Sequence, residues 1–179
     1  MVDRRSNSDL PHKDEWRTPP EFVAAVEWAL WNRSIIRGRF WLDPCAALDN
    51  HLRMPEFFTK ETDGLLRFWS RGLFRPVFVN PPFSQKERWI IKSRLEAKNG
   101  STVVILLETA TDSRLFHEVI SKSLVFLLRR RVSFLNDKLE RTGYGQRGHI
   151  LSIWGPGIIP CIHILDLRPE MEIKELLGR

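Results

Sequence analysis

The amino-acid sequence predicts an α/β protein, a mostly parallel sheet with helices on both faces. Three observations carry this. Thr102 to Leu107 is an unbroken, largely β-branched apolar run, the pattern of a strand buried on both sides. Shorter apolar runs at 40–42, 77–79, 124–128, 150–154 and 161–167 are interleaved with segments whose apolar residues recur at helical spacing. Asp43, Asn80 and Thr109 to Asp112 each stand just past such a run, where an open parallel sheet collects its ligands.

Taken in order, residues 1–13 are polar and aperiodic and are expected to form a disordered terminus, leaving 14–179 as one domain. Thr18 and Glu21 have capping-box spacing with Pro19 at the first helical position, and Phe22, Val23, Val26 and Leu30 extend a helix to about Trp31. The run 40–42 ends in Asp43-Pro44-Cys45-Ala46, whose small residues leave room for a nucleotide-like ligand, although the glycine fingerprint of dinucleotide sites is missing. Glu56 to Thr59 reads as a short strand, and Asp63-Gly64 as a turn. Ser84 and Glu87 suggest a second capping box. The helix after it carries Trp89, Ile91 and Leu95 and stops at Asn99-Gly100. Leu115, Phe116, Val119 and Ile120 mark another helix, with Asp112 near its start, and Pro169 opens a short C-terminal one. Residues 136–149 are glycine-rich, polar and basic, and are expected to form a mobile surface loop.

Composition narrows the function. Of 179 residues 42% are hydrophobic and 28% charged, ordinary for a globular domain. No stretch approaches the roughly 18 apolar residues of a membrane span, and the amino terminus lacks the apolar segment of a secretory signal. Cys45 and Cys161 lack metal-ligand spacing and read as free thiols of a reducing cytoplasm. The five histidines are paired with no nucleophile and read as structural or surface, so no metal is expected. A net charge of +6 favours a polyanionic partner. Most of the seven Trp and eleven Phe are assigned to the core.

Chemistry concentrates in Asn80-Pro81-Pro82-Phe83. Neither proline has an N–H, and both restrict φ, so the turn is rigid with its carbonyls free to accept. The Asn80 amide oxygen is another fixed acceptor and Phe83 a face for stacking. Acceptors converging beside an aromatic suit the exocyclic amino group of a planar base or amide. Asn-Pro also marks ordinary turns; the shared sheet edge with Asp43 and Asp112 favours the functional reading.

The order Asp14-Glu15-Trp16, Thr18-Pro19-Pro20-Glu21, Asp43-Pro44-Cys45-Ala46, Phe57-Phe58-Thr59, Asp63-Gly64-Leu65 with Trp69, and Asn80-Pro81-Pro82-Phe83 resembles the phage-type DNA N-6-adenine methyltransferases. The likeness continues through Thr111-Asp112-Ser113, Phe116-His117 and Arg129-Arg130-Arg131, covering about residues 14–155. It implies a Rossmann-like S-adenosylmethionine-dependent fold and methyl transfer to adenine N6 in double-stranded DNA, with the base flipped out. It also implies the host-cell cytoplasm for a phage-encoded chain. By position, Asn80 and the Pro81 carbonyl would hold the amino group, with Pro82 framing the turn and Phe83 stacking on the base. Trp16, Thr18, Pro19, Asp43, Pro44, Cys45, Asp63 and Asn80 would line the cofactor site, Asp63 accepting from the cofactor's adenine; Glu56 is the candidate for its ribose.

Lys86, Arg88, Arg129, Arg130, Arg131 and Arg147 are the candidate phosphate contacts, and the 136–149 loop the candidate for site choice. Two other readings remain open at this level. The missing glycines suit a nucleic-acid-binding module that has lost its cofactor. An RNA base or a protein glutamine amide would present a similar planar amino group.

Overall fold

The computed structural model describes residues 13–69, 75–142 and 147–167. Seven strands form one sheet in the order β2-β1-β3-β4-β6-β5-β7. They are β1 (Leu42–Asp43), β2 (Glu56–Phe57), β3 (Val77–Val79), β4 (Val103–Glu108), β5 (Leu124–Leu128), β6 (His149–Trp154) and β7 (Cys161–Leu165). Pairing is parallel throughout except at β6, which runs antiparallel between β4 and β5. The mostly parallel sheet is therefore as expected, with one reversed strand that apolar pattern alone does not reveal.

Alternation within the strands makes two cores. Phe78, Val104, Leu106, Phe126, Leu151 and Ile153 face one side, where helix α1 (Pro20–Trp31) packs through Val23, Val26 and Leu30. Val77, Val79, Val103, Ile105, Val125 and Ile150 face the other, covered by α2 (Lys86–Lys98) through Trp89 and Ile90 and by α3 (Arg114–Ile120) through Val119. Each fully buried side chain of this size contributes about 1.5–3 kcal/mol of hydrophobic stabilisation. On the second face Ser123 Oγ donates to the Val119 carbonyl, and Ser152 Oγ donates to Ser123 Oγ, both at 2.7 Å, so the polar atoms between α3 and the sheet are satisfied.

Several local expectations are corrected. Neither capping box forms: α1 begins at Pro20 after Pro19 with no side-chain cap, and Gln85 before α2 likewise supplies none. Glu21 pairs instead with Arg141, and Ser84 with Asp14, long-range partners that outcompete the local ones. The buried face of α2 is Trp89, Ile90, Ser93 and Glu96, while Ile91 and Leu95 are exposed. Glu96 turns inward because its Oε2 accepts from the Trp69 backbone N–H and its Oε1 pairs with Lys92 at 2.7 Å. Most of the described Trp and Phe do lie in or against the two cores, with Trp28, Trp31, Phe57 and Phe68 exposed. Asn136 folds residues 136–140 into a turn by accepting from the amides of Lys138 and Glu140, and His149 belongs to β6 rather than to the loop. Residues 1–12, 143–146 and the helix expected at Pro169 lie outside the described residues.

Candidate functional site

The chain leaves β1 toward one edge of the sheet to make β2, then returns to the other side of β1 with β3. Strand order reverses between β1 and β3, and at such a point the loops beyond the carboxyl ends diverge and leave a crevice. Asp43 ends β1 and Asn80 follows β3 directly, so both stand at its mouth. They line one groove of about 720 Å³, together with Trp16, Thr18, Pro44, Cys45, Asp63, Pro82 and Arg88. Groove size falls within the range of small-molecule and cofactor sites.

One wall is built without glycine after β1. The Cys45 amide donates to Asp43 Oδ1 at 3.0 Å and the Ala46 amide to the Phe58 carbonyl at 2.8 Å, so backbone donors that a glycine loop would offer a ligand are used internally. What remains facing the groove is carboxylate. Burial lifts Asp43 to a pKa of about 7, against the opposing pull of the Cys45 amide. The Cys45 thiol is pushed well above its usual value, first by burial and then by the neighbouring Asp43; its Sγ lies 3.1 Å from the Asn80 carbonyl, to which it donates. A desolvated carboxyl beside a neutral thiol fits a ligand that brings positive charge.

The opposite wall is the Asp63-Gly64 turn. Asp63 adopts a left-handed conformation, φ 44°, uncommon for a residue with a side chain, and its carboxylate accepts from the Leu65 amide at 3.1 Å. Gly64 presses against the first wall: a Cβ there would lie 1.9 Å from the Pro44 carbonyl oxygen. Trp69 fastens the turn from behind, its Nε1 donating to the Gly64 carbonyl at 2.8 Å. The spacing Asp63-Gly64…Trp69 is thus one structural unit. Glu56, the candidate for a ribose, lies in β2 and does not line the groove.

Asn80 is held from the amino-terminal segment. Its Nδ2 donates to the Trp16 carbonyl at 3.3 Å, which leaves Oδ1 as an unencumbered acceptor. The Asn80 carbonyl is occupied by Cys45, so the next carbonyl of the turn, that of Pro81, is the second acceptor at hand. Asp14 fixes the far end of the turn: Ser84 donates to it from its backbone N–H, at 2.9 Å, and from its hydroxyl. The segment is itself tied down, with Arg17 and Leu135 exchanging backbone hydrogen bonds at 2.9 Å and Trp16 stacked on Phe134. Thr18 is buried, and its carbonyl lies 3.0 Å from His51 Nε2.

Beyond Asn80, on the β4 side, the groove adjoins a smaller hollow of about 60 Å³ walled by Pro81, Phe83, Glu108, Phe134 and His149. The Lys86 ammonium lies 4.7 Å from the centre of the Phe83 ring, a cation–π contact with the ring assigned to stacking. Glu108 and Phe134 are absent from the sequence-derived site, and His149 entered it only as the last residue of the 136–149 loop. Nothing local marks the three as neighbours, and only the antiparallel insertion of β6 brings His149 opposite Glu108.

The basic residues divide. Arg88 lines the large groove and Lys86 the small hollow. Arg129 and Arg130, past the carboxyl end of β5, are exposed and pair with Asp166, while Arg131 is exposed. Arg147 is exposed and lies 3.5 Å from Glu108. Thr109 and Asp112 share the sheet edge without lining either cavity; Thr109 packs against Gly148 instead. Cys45 and Cys161 are free thiols. Among the described residues no helix is long and apolar enough to cross a membrane, and no group of three or more potential ligands assembles as a metal site.

A sheet of this order with its crevice at the β1–β3 reversal has the class I S-adenosylmethionine-dependent methyltransferase fold. A crystal structure from Listeria monocytogenes assigned to that class matches with a TM-score of 0.53, at 13% identity, over 96% of this chain and 72% of that one. More narrowly, the chain belongs to the DNA N-6-adenine-methyltransferase (Dam) family, whose model matches residues 5–173. It is similar to a DNA N-6-adenine-methyltransferase of Escherichia phage T1, 23% identical over 143 residues, 80% of this chain. Those residues are 55% of the phage protein, so the chain spans about half the length of that relative.

Proposed function

We propose that this protein transfers the methyl group of S-adenosylmethionine to the N6 amino group of adenine in DNA. The observation that carries the reading is the common groove of Asp43 and Asn80, with the Asn80 amide turned by Trp16 so that its oxygen is free. Family membership agrees with it.

The cofactor, when bound, supplies an activated methyl on a sulfonium and an amino-acid end that carries an ammonium beside a carboxylate. Asp43 would answer the ammonium, while Thr18, Cys45 and the Asp63-Gly64 turn would enclose the remainder. Asn80 Oδ1 and the Pro81 carbonyl accept from the two amino hydrogens of a base rotated out of the duplex. Accepting both hydrogens draws the nitrogen lone pair away from the ring and orients it for attack. Phe83 supports the ring, with Lys86 beside it. The work is orientation and electrostatics, worth most in a site from which water is excluded. The non-catalytic module rested on the missing glycines; the carboxylate-lined wall and the glycine at 64 offer another way to build the cofactor site, which favours the enzyme.

The test incubates the protein with labelled S-adenosylmethionine and, separately, DNA, RNA and a glutamine-bearing peptide, followed by mass spectrometry of the digests. N6-methyladenine from DNA is expected. Asn80→Ala is expected to lose about 10²–10³ in turnover, while cofactor affinity by calorimetry changes only a few-fold. Label on RNA or peptide alone overturns the acceptor, and an unimpaired Asn80→Ala overturns the role of Asn80.

A further inference from the structure

The amino-group grip leaves a question of selectivity. Adenine and cytosine both carry an exocyclic amino group, so two acceptors at Asn80 and Pro81 do not tell them apart. Their flanks differ: adenine has a ring-nitrogen acceptor on either side of the amino group, N1 and N7, whereas cytosine has N3 on one side and a C–H on the other.

Two side chains that line the hollow beside Asn80 carry buried polar atoms that the protein itself does not satisfy. Trp16 Nε1, a donor only, is buried without a hydrogen-bond partner. His149 is 5% exposed, and its Nδ1 is buried without one. Both residues line the hollow, and Phe134 fixes both rings, stacking on Trp16 and meeting His149 edge-on at 5.2 Å. Burial lowers the His149 pKa to about 4, so near neutral pH the imidazole is uncharged and carries one N–H. Glu108, its register partner on β4, is the charged group facing it; Glu108 Oε2 is engaged by Arg147 at 3.5 Å, without hydrogen-bond geometry. Buried polar atoms are nearly always paired, and unpaired ring nitrogens on two side chains of one hollow point to a ligand that completes them.

Resting on the adenine reading above, we propose that His149 and Trp16 are specificity-determining residues that donate hydrogen bonds to the ring nitrogens flanking the amino group of the acceptor base. Adenine satisfies both donors while Asn80 holds its amino group. Cytosine in the same grip leaves one donor buried and unpaired, a penalty of about ten- to a hundredfold in kcat/KM.

DNA synthesised with 7-deazaadenine or with 1-deazaadenine in place of every adenine keeps the amino group and removes one ring acceptor at a time. Wild-type protein is expected to methylate natural DNA and to lose about ten- to a hundredfold in kcat/KM on each analogue. His149→Gln and Trp16→Phe, the latter keeping the stack on Phe134, are each expected to lose a similar factor on natural DNA. Each is also expected to become indifferent to one of the two analogues, and His149→Gln to raise the ratio of N4-methylcytosine to N6-methyladenine. An unchanged circular-dichroism spectrum and thermal unfolding midpoint report that a variant is folded. Equal wild-type rates on natural and both substituted DNAs overturn the proposal whatever the variants do, as do variants that keep the full analogue penalty. Absence of N6-methyladenine from natural DNA is a different failure: it removes the activity itself, and this inference with it.

Discussion

Gly64→Ala is the sharpest single test of how the proposed cofactor groove is built. The added Cβ would sit 1.9 Å from the Pro44 carbonyl oxygen and 2.9 Å from its carbon. These are backbone atoms, with no rotamer to move away. Restoring an ordinary contact of about 3.2 Å requires the two walls to part by more than about 1 Å. Overpacking of this kind costs about 1–3 kcal/mol. For a domain of this size that corresponds to a fall in Tm of roughly 2–12 °C. The displacement acts directly on Pro44, between Asp43 and Cys45, and a misplacement of about 1 Å near reacting groups costs about a hundredfold in rate. Calorimetry with S-adenosylmethionine and differential scanning are the assays. Weakened binding with a lowered Tm is expected. A variant with wild-type affinity and wild-type Tm would show that the Asp63-Gly64 turn and the Asp43–Cys45 segment do not share one wall-to-wall contact.

Four further outcomes are expected. Because burial raises Asp43 from 3.8 to about 7, the folded protein binds more protons than the unfolded chain between those values, so stability falls as pH climbs through that window. Asp43→Asn removes the dependence and is expected to be more stable than wild type at pH 8 by up to roughly 4 kcal/mol, measured by denaturant titration at several pH values. Wild type is expected to bind S-adenosylmethionine more tightly as pH rises through about 7 and the same variant to lack that change; identical pH profiles for the two refute a charge role for Asp43. Asp14→Ala releases Ser84 and is expected to cost about 1 kcal/mol of stability while lowering kcat more than that loss accounts for, since it frees the end of the Asn80–Phe83 turn. Arg131→Ala is expected to reduce the slope of log affinity for DNA against log salt by about 0.9; an unchanged slope removes Arg131 from the phosphate interface.

Much of the candidate site was legible because its motifs sit at strand ends. Val77–Val79 followed by Asn80-Pro81-Pro82 declares a buried strand and a rigid turn from composition alone, and Asp43 after Leu42 does the same. Helix faces were less legible. On α2 the apolar Ile91 and Leu95 lie outward while Glu96 lies inward, because Trp69 offers a backbone N–H and Lys92 a charge that no local pattern encodes. Caps failed for the same reason: Asp14, seventy positions away in sequence, is a charged acceptor for Ser84, where Glu87 offered only a local alternative.

By itself, then, the sequence determined the α/β class, the strands and the rigid acceptor turn at Asn80, since periodicity, β-branching and proline act within a few residues of where they are read. Tertiary structure alone decided the reversed strand β6, the clamp of Gly64 on Pro44 and the meeting of Trp16, Glu108 and His149 around one hollow. Those features depend on which distant segments approach one another, and burial of polar atoms is a property of that approach rather than of any stretch of chain.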